Sequence, residues 1–239
     1  MRGIRMKPVH RHVTQFWSEE RNLTAFLILL IVEVFVIAPM QIRGPAVVIF
    51  NNVVFFLLLL TGLLNMTHSK ALQSVIATFV FLAVATRWAY LVIDIPGLKV
   101  LDGCLILACT IGFLVIVLWQ VYREGPVTAH RIQGAVAAYL LLSIIFAVAY
   151  GLLENLQPGS FQTSSALEEY SGRVSRSFYY FSVVTLTTTG YGDIAPVSAY
   201  ARSLAMMEAL IGQLYPAILI ARLVSLHVET VRAKKGKHE

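Results

Sequence analysis

Apolar residues in this chain fall into long unbroken blocks separated by short polar knots. Six blocks stand out, at about 23–40, 46–64, 71–93, 100–122, 130–153 and 201–228. A helix rises about 1.5 Å per residue, so roughly 20 apolar residues cross the hydrocarbon of a bilayer. Each block is therefore expected to be a membrane-spanning helix. The knots carry helix breakers: Arg43-Gly44-Pro45 after the first block and Asn65 to Lys70 after the second. Asp94 to Lys99, with Pro96-Gly97, follows the third, and Arg123-Glu124-Gly125-Pro126 the fourth.

The interval between the fifth and sixth blocks has a different pattern. Residues 154–174 are polar, with Pro158, Gly159, several serines, Glu168 and Glu169. From Ser175 to Thr187 the chain turns apolar and aromatic, through Phe178, Tyr179, Tyr180, Phe181, Val183 and Val184. This stretch is too short to cross a bilayer and suits a re-entrant helix. Glycine-rich backbone follows it. Non-helical backbone at membrane depth is tolerated only where protein buries it or it lines water. A helix, a glycine-rich return and another span together outline a pore loop.

Composition agrees with a membrane protein. The 239 residues are 57% hydrophobic and 13% charged, against about a quarter charged in soluble domains. The net charge of +6 gathers in an N-terminal arm (Arg2, Arg5, Lys7, Arg11) and a C-terminal tail (Arg232, Lys234, Lys235, Lys237). With six spans, 13 Lys and Arg fall on the side of the termini and 5 on the other, with Arg87 inside a span. That asymmetry predicts both termini in the cytoplasm of a plasma membrane, here expected to be a bacterial inner membrane. No aromatic-interleaved basic motif accompanies the charge, so no nucleic-acid partner is expected. The basic tail reads as a topology signal that could also touch anionic membrane lipids. Cys104 and Cys109 lie in one apolar block and are expected to be buried, with no disulfide framework or metal spacing. The first 22 residues have no apolar core of the signal-peptide kind, so no cleaved leader is expected. Asn22-Leu-Thr and Asn65-Met-Thr fit a glycosylation pattern but fall on the expected cytoplasmic side. No nucleophile, metal cluster or phosphate loop suggests an enzyme, and no cofactor is expected.

The residues after the apolar aromatic stretch read Thr185-Leu-Thr-Thr-Thr-Gly190-Tyr-Gly-Asp193-Ile-Ala-Pro196. Thr188-Thr189-Gly190-Tyr191-Gly192 resembles the selectivity filter of the potassium channel family, and the likeness runs from the fifth block through the sixth. It is closest in kind to one-pore, six-span prokaryotic channels. The resemblance implies an all-α membrane fold with a pore helix and filter loop between helices five and six. It implies that carbonyls of Thr188, Thr189, Gly190 and Tyr191 replace the hydration of a permeant potassium ion, with the Thr188 hydroxyl as an inner ligand. Inward carbonyls require alternating backbone conformations, some with positive φ, which accounts for Gly190 and Gly192. Tyr191 would brace the filter against Tyr180 and Phe181, and Gly192 and Asp193 would form the outer mouth. Thr189 stands where Val or Ile is more familiar, and predicts a changed hydrogen bond behind the filter. One loop supplies one wall of a pore, so three identical subunits are implied as partners in a homotetramer.

The resemblance also bears on gating. Gly212 and Pro216 stand on the last span where these channels place a bending hinge, and Gly212 could instead serve close packing against the pore helix. Gln213, Pro216 and Ile220 are expected to face the cavity. Residues 23–123 would form a voltage-sensor-like unit, and 128–229 the pore domain, flanked by the arm 1–22 and the tail 230–239. Span four, Val100 to Tyr122, has no Lys or Arg, so little voltage dependence is expected. Two charges inside the first four spans, Glu33 and Arg87, are expected to pair. Glu208, one turn before Gly212, could bond behind the pore helix or tune gating by pH. Two further readings remain open on the sequence alone: a weakly selective cation channel and a non-conducting membrane scaffold.

Overall fold

The computed structural model describes residues 23–37, 45–64, 70–92, 96–122, 128–163 and 174–235. The chain is mostly helical. Seven helices run in order: α1 Leu23–Ile37, α2 Pro45–Leu64, α3 Lys70–Val92, α4 Pro96–Tyr122, α5 Ala129–Leu156, α6 Val174–Leu186 and α7 Ala199–Lys235. Two short strands, β1 Phe161–Thr163 and β2 Ile194–Pro196, flank α6. Among the described residues, Gly97–Tyr122, Ala129–Leu156 and Ala199–Ser225 are long and apolar enough to cross a membrane. Part of each expected span appears as helix. Residues 38–40 and 93, the arm 1–22 and the last four tail residues lie outside the described residues.

Two expected boundaries move. Pro96-Gly97 was expected in a connector, yet α4 begins at Pro96. Proline is well placed in a first helical turn, where its missing N–H would have no partner in any case. At the other end, α7 continues through Arg232, Lys234 and Lys235, so the basic tail is in large part the end of the last helix.

Small residues let the helices approach. Gly103, early in α4, lies against Leu152, late in α5, and a Cβ at Gly103 would meet that side chain at 2.6 Å. Gly134, early in α5, lies against Val121, late in α4. The two helices are thus antiparallel and in close contact along their length, as small residues allow where apolar burial alone gives no drive. Phe26 of α1 packs edge-on to Phe113 of α4 at 6.2 Å, and Thr24 donates to Gln133 of α5 at 3.0 Å. Cys109 joins this core, while Cys104 is exposed, contrary to expectation. On a helix the two are five residues apart and point in different directions.

Arg87 has partners that the sequence reading did not name. The Arg87 guanidinium donates through Nε to Asn52 at 2.8 Å and pairs with Asp102 at 3.4 Å. It also lies over the Phe55 ring, 4.9 Å from its centre. The reason is register. Arg87 sits five residues before the end of α3 and Asp102 six after the start of α4, so consecutive helices bring them to the same depth. Glu33 is buried in a π-helical turn, Val32–Ile37.

Removing one partner of a pair this buried leaves an uncompensated charge. A double-mutant cycle with Arg87→Met and Asp102→Leu, read by chemical unfolding in detergent, should therefore return a coupling of about 0.5–3 kcal/mol. It should exceed the coupling of Arg87 with Glu33.

Candidate ion-conducting site

The site is assembled around α6. Its outer end is carried by an aromatic cluster: Phe161 of β1 lies 4.7 Å from Phe178, and Tyr150 of α5 lies 5.0 Å from Phe181. Strands β1 and β2 pair antiparallel, with Phe161 opposite Pro196 and Thr163 opposite Ile194. The turn leading to β1 is held by Glu154, whose carboxylate accepts from the amides of Gly159 and Ser160 at 2.8 and 3.0 Å.

A short helix was expected over Ser175 to Thr187, and α6 covers Val174–Leu186. Beyond it the backbone alternates. Thr188, Gly190 and Gly192 have φ of 58°, 59° and 80°, while Thr189 and Tyr191 between them stay in the ordinary region. A Cβ at Gly190 or Gly192 would meet nothing within 4 Å. The dihedral, and not the space, is what calls for glycine there. Thr188 holds the same conformation with a β-branched side chain, which costs on the order of 1–2 kcal/mol.

Polar groups of this strand are sorted by type. The amides of Thr189 and Gly190 both donate to the Val184 carbonyl, at 2.9 and 3.3 Å, and the Thr188 amide donates to Thr185 at 2.9 Å. Among the described residues, no hydrogen bond is accepted by the carbonyls of 188–192. A backbone oxygen left without a donor seeks water or a cation. The strand also follows the C-terminal end of α6, where the helix dipole is negative.

The expected site residues are placed as follows. Thr188 to Gly192 form one exposed strand. Tyr191 stacks on Tyr180 at 6.4 Å, with planes 5° apart, whereas Phe181 turns to the Tyr150 cluster instead. Asp193 accepts from the Ile194 amide at 3.1 Å. The Thr189 hydroxyl lies 3.0 Å from that of Thr187, a hydrogen bond that valine could not make. Gln213 and Ile220 are exposed and Pro216 half-buried.

Gly212 is buried, and a Cβ there would come within 1.9 Å of the Leu186 carbonyl oxygen. Helix α7 runs unbroken through Gly212 and Pro216. Close contact with the end of α6 thus calls for glycine at this position. Sequence reading missed the other supports of this turn. Tyr139 of α5 donates to the same Leu186 carbonyl at 3.1 Å and stacks on Tyr215 of α7 at 5.8 Å; Tyr215 in turn donates to Ala135 at 2.8 Å. Tyrosines at 139 and 215 within apolar blocks were the available signal.

Residues 138–229 match the family model described as an ion channel. This segment, from α5 to α7, is an ion channel domain, and the chain is a membrane protein. Among curated proteins it is similar to the inward rectifier potassium channel Kirbac3.1 of Paramagnetospirillum magnetotacticum, 34% identical over 93 residues, 37% of this chain and 26% of that protein. It is also 34% identical over 88 residues to Protein LctB of Bacillus caldotenax, covering 36% of this chain and 64% of that one. The matches span about a quarter of the first relative and under two thirds of the second. The likeness of this segment is thus to ion channels, with a potassium channel among the proteins it resembles. No solved structure matches the chain.

A methyl group at residue 212 meets backbone, which no rotamer change relieves. Gly212→Ala should cost about 1–3 kcal/mol through overpacking, read as a lower unfolding temperature of the detergent-solubilised protein.

Proposed function

We propose that the chain is a subunit of a potassium-selective channel in which four identical copies surround one axis. The observation that carries this reading is the sorted strand. Left-handed residues at 188, 190 and 192 alternate with ordinary ones, the amides are bound back to α6, and the carbonyls have no donor. Four such strands facing one another would offer rings of carbonyl oxygen in place of an ion's water. Thr188, Thr189, Gly190 and Tyr191 then line the ion queue, with Gly192 and Asp193 at the mouth. The ion is the cargo, and no resident cofactor takes part.

Assembly is supported by the state of α7. Met206, Leu210, Leu214, Ile218, Ile220 and Val224 are all exposed in the single chain, a broad apolar face for neighbouring subunits and lipid. The full reading has six spans, both termini in the cytoplasm and a bacterial inner membrane as the site. Helices α1 to α4 then form a sensor-like unit without the arginines that would move charge through the field.

Purified protein in liposomes should pass potassium in preference to sodium, read as the reversal potential in mixed salts. Gly190→Asp should abolish the flux, since an L-residue is strained at that φ and its carboxylate occupies the conduction path. Thr189→Val should keep selectivity while losing about 1 kcal/mol of local support. A reversal potential indifferent to the two ions would instead indicate a weakly selective cation channel, and no flux at all a scaffold. Each charge crossing the field is worth about 2.3 kcal/mol per 100 mV. With no Lys or Arg in Val100 to Tyr122, conductance should change little with voltage.

A further inference from the structure

Glu208 of α7 is fully buried, in a helix whose other faces are largely apolar. Its carboxyl group meets two hydroxyls on two other helices. Tyr150 of α5 donates to Oε2, and the Ser182 hydroxyl of α6 lies against Oε1. Ser182 has a second partner, the Ser143 carbonyl oxygen of α5, at 2.7 Å. Among the described residues, no cationic side chain is bonded to Glu208. The titratable groups facing it are Tyr150 and Tyr139, both from α5.

The protons in this cluster can be counted. A carbonyl oxygen only accepts, so the contact with Ser143 uses the single proton of Ser182. The contact between Ser182 Oγ and Glu208 Oε1 then needs a proton from Glu208. The phenol proton of Tyr150 serves Oε2. A neutral carboxyl group gives each of the three contacts one proton. An ionised one leaves two oxygens facing each other with no proton between them, in a fully buried site.

We propose that Glu208 works as a neutral hydrogen-bond donor to Ser182, fixing α6 against α5 and α7 and so acting as a positioning residue for ion selectivity. Ser182 stands two residues before Val184, whose carbonyl holds the amides of Thr189 and Gly190. A shift of α6 along its axis would carry that carbonyl, and the strand bonded to it, out of place. Glu208 and Gly212 are one turn apart on α7, so both act on the same helix from the same side. The selectivity half of this proposal rests on the conducting reading above; the protonation half does not.

Two measurements on the purified full chain test it. In infrared difference spectra at neutral pH, wild type minus Glu208→Gln should show the carbonyl stretch of a protonated carboxylic acid, and Ser182→Ala should shift it. A spectrum with only ionised carboxylate bands overturns the proposal, whether or not the protein conducts. In liposomes, Glu208→Gln offers an N–H to Ser182 and an oxygen to Tyr150, and should keep the potassium-over-sodium permeability ratio within about twofold. Glu208→Leu should lower that ratio by about tenfold, a change of about 1.4 kcal/mol. If Gln and Leu behave alike, both preserving or both losing selectivity, the positioning role is overturned. If the Leu variant fails to assemble, Ser182→Ala takes its place with the same expected loss. A wild type without potassium flux refutes the proposed function and the positioning role that rests on it, and the infrared band alone decides the state of Glu208.

Discussion

The last turn of α6 is where the segment Thr187 to Gly192 is anchored. Its carbonyls receive bonds from three directions: the Val184 oxygen holds the amides of Thr189 and Gly190, the Val183 oxygen holds that of Thr187, and the Leu186 oxygen takes the hydroxyl of Tyr139. Gly212 closes against the same oxygen from α7. A helix end normally leaves its final carbonyls seeking partners. Here those partners are the segment that follows, through the amides of 187, 189 and 190, and the Tyr139 hydroxyl of α5. The strand can hold a strained conformation at Thr188 because its neighbours over-determine it.

Much of this could be read from the amino-acid order. Long apolar blocks mark helices whatever they pack against, because the bilayer demands internal hydrogen bonding. The pore helix was expected within one residue of where it lies, since its aromatic run is short and sharply bounded. The positive φ at Gly190 and Gly192 followed from residue type. What stayed hidden depended on distance through space. Arg87 chose Asp102 because helices consecutive in sequence share a depth, a matter of register that hydropathy does not encode. The ribbon of β1 and β2 involves three residues each, too few for a periodic signal. Gly212 was legible as unusual, with packing against α6 as one of its two readings, but the Leu186 oxygen that it meets was not.

The four leading helices show how a charge can be held within an apolar bundle. Arg87 has an amide, a carboxylate and an aromatic face around it, so its charge is satisfied where it stands. Moving it would break all three contacts together. Such a cluster favours a fixed bundle, whereas a mobile sensor needs a ladder of equivalent stations.

The small β ribbon has a consequence for the loop it closes. Thr163 and Ile194 sit side by side, so the stretch of chain between them, α6 included, begins and ends at one pinched neck. Once such a neck is tied, lengthening the chain inside it adds entropy cost only as a logarithm. Changes of length between the two strands should therefore cost far less than a change that unties them.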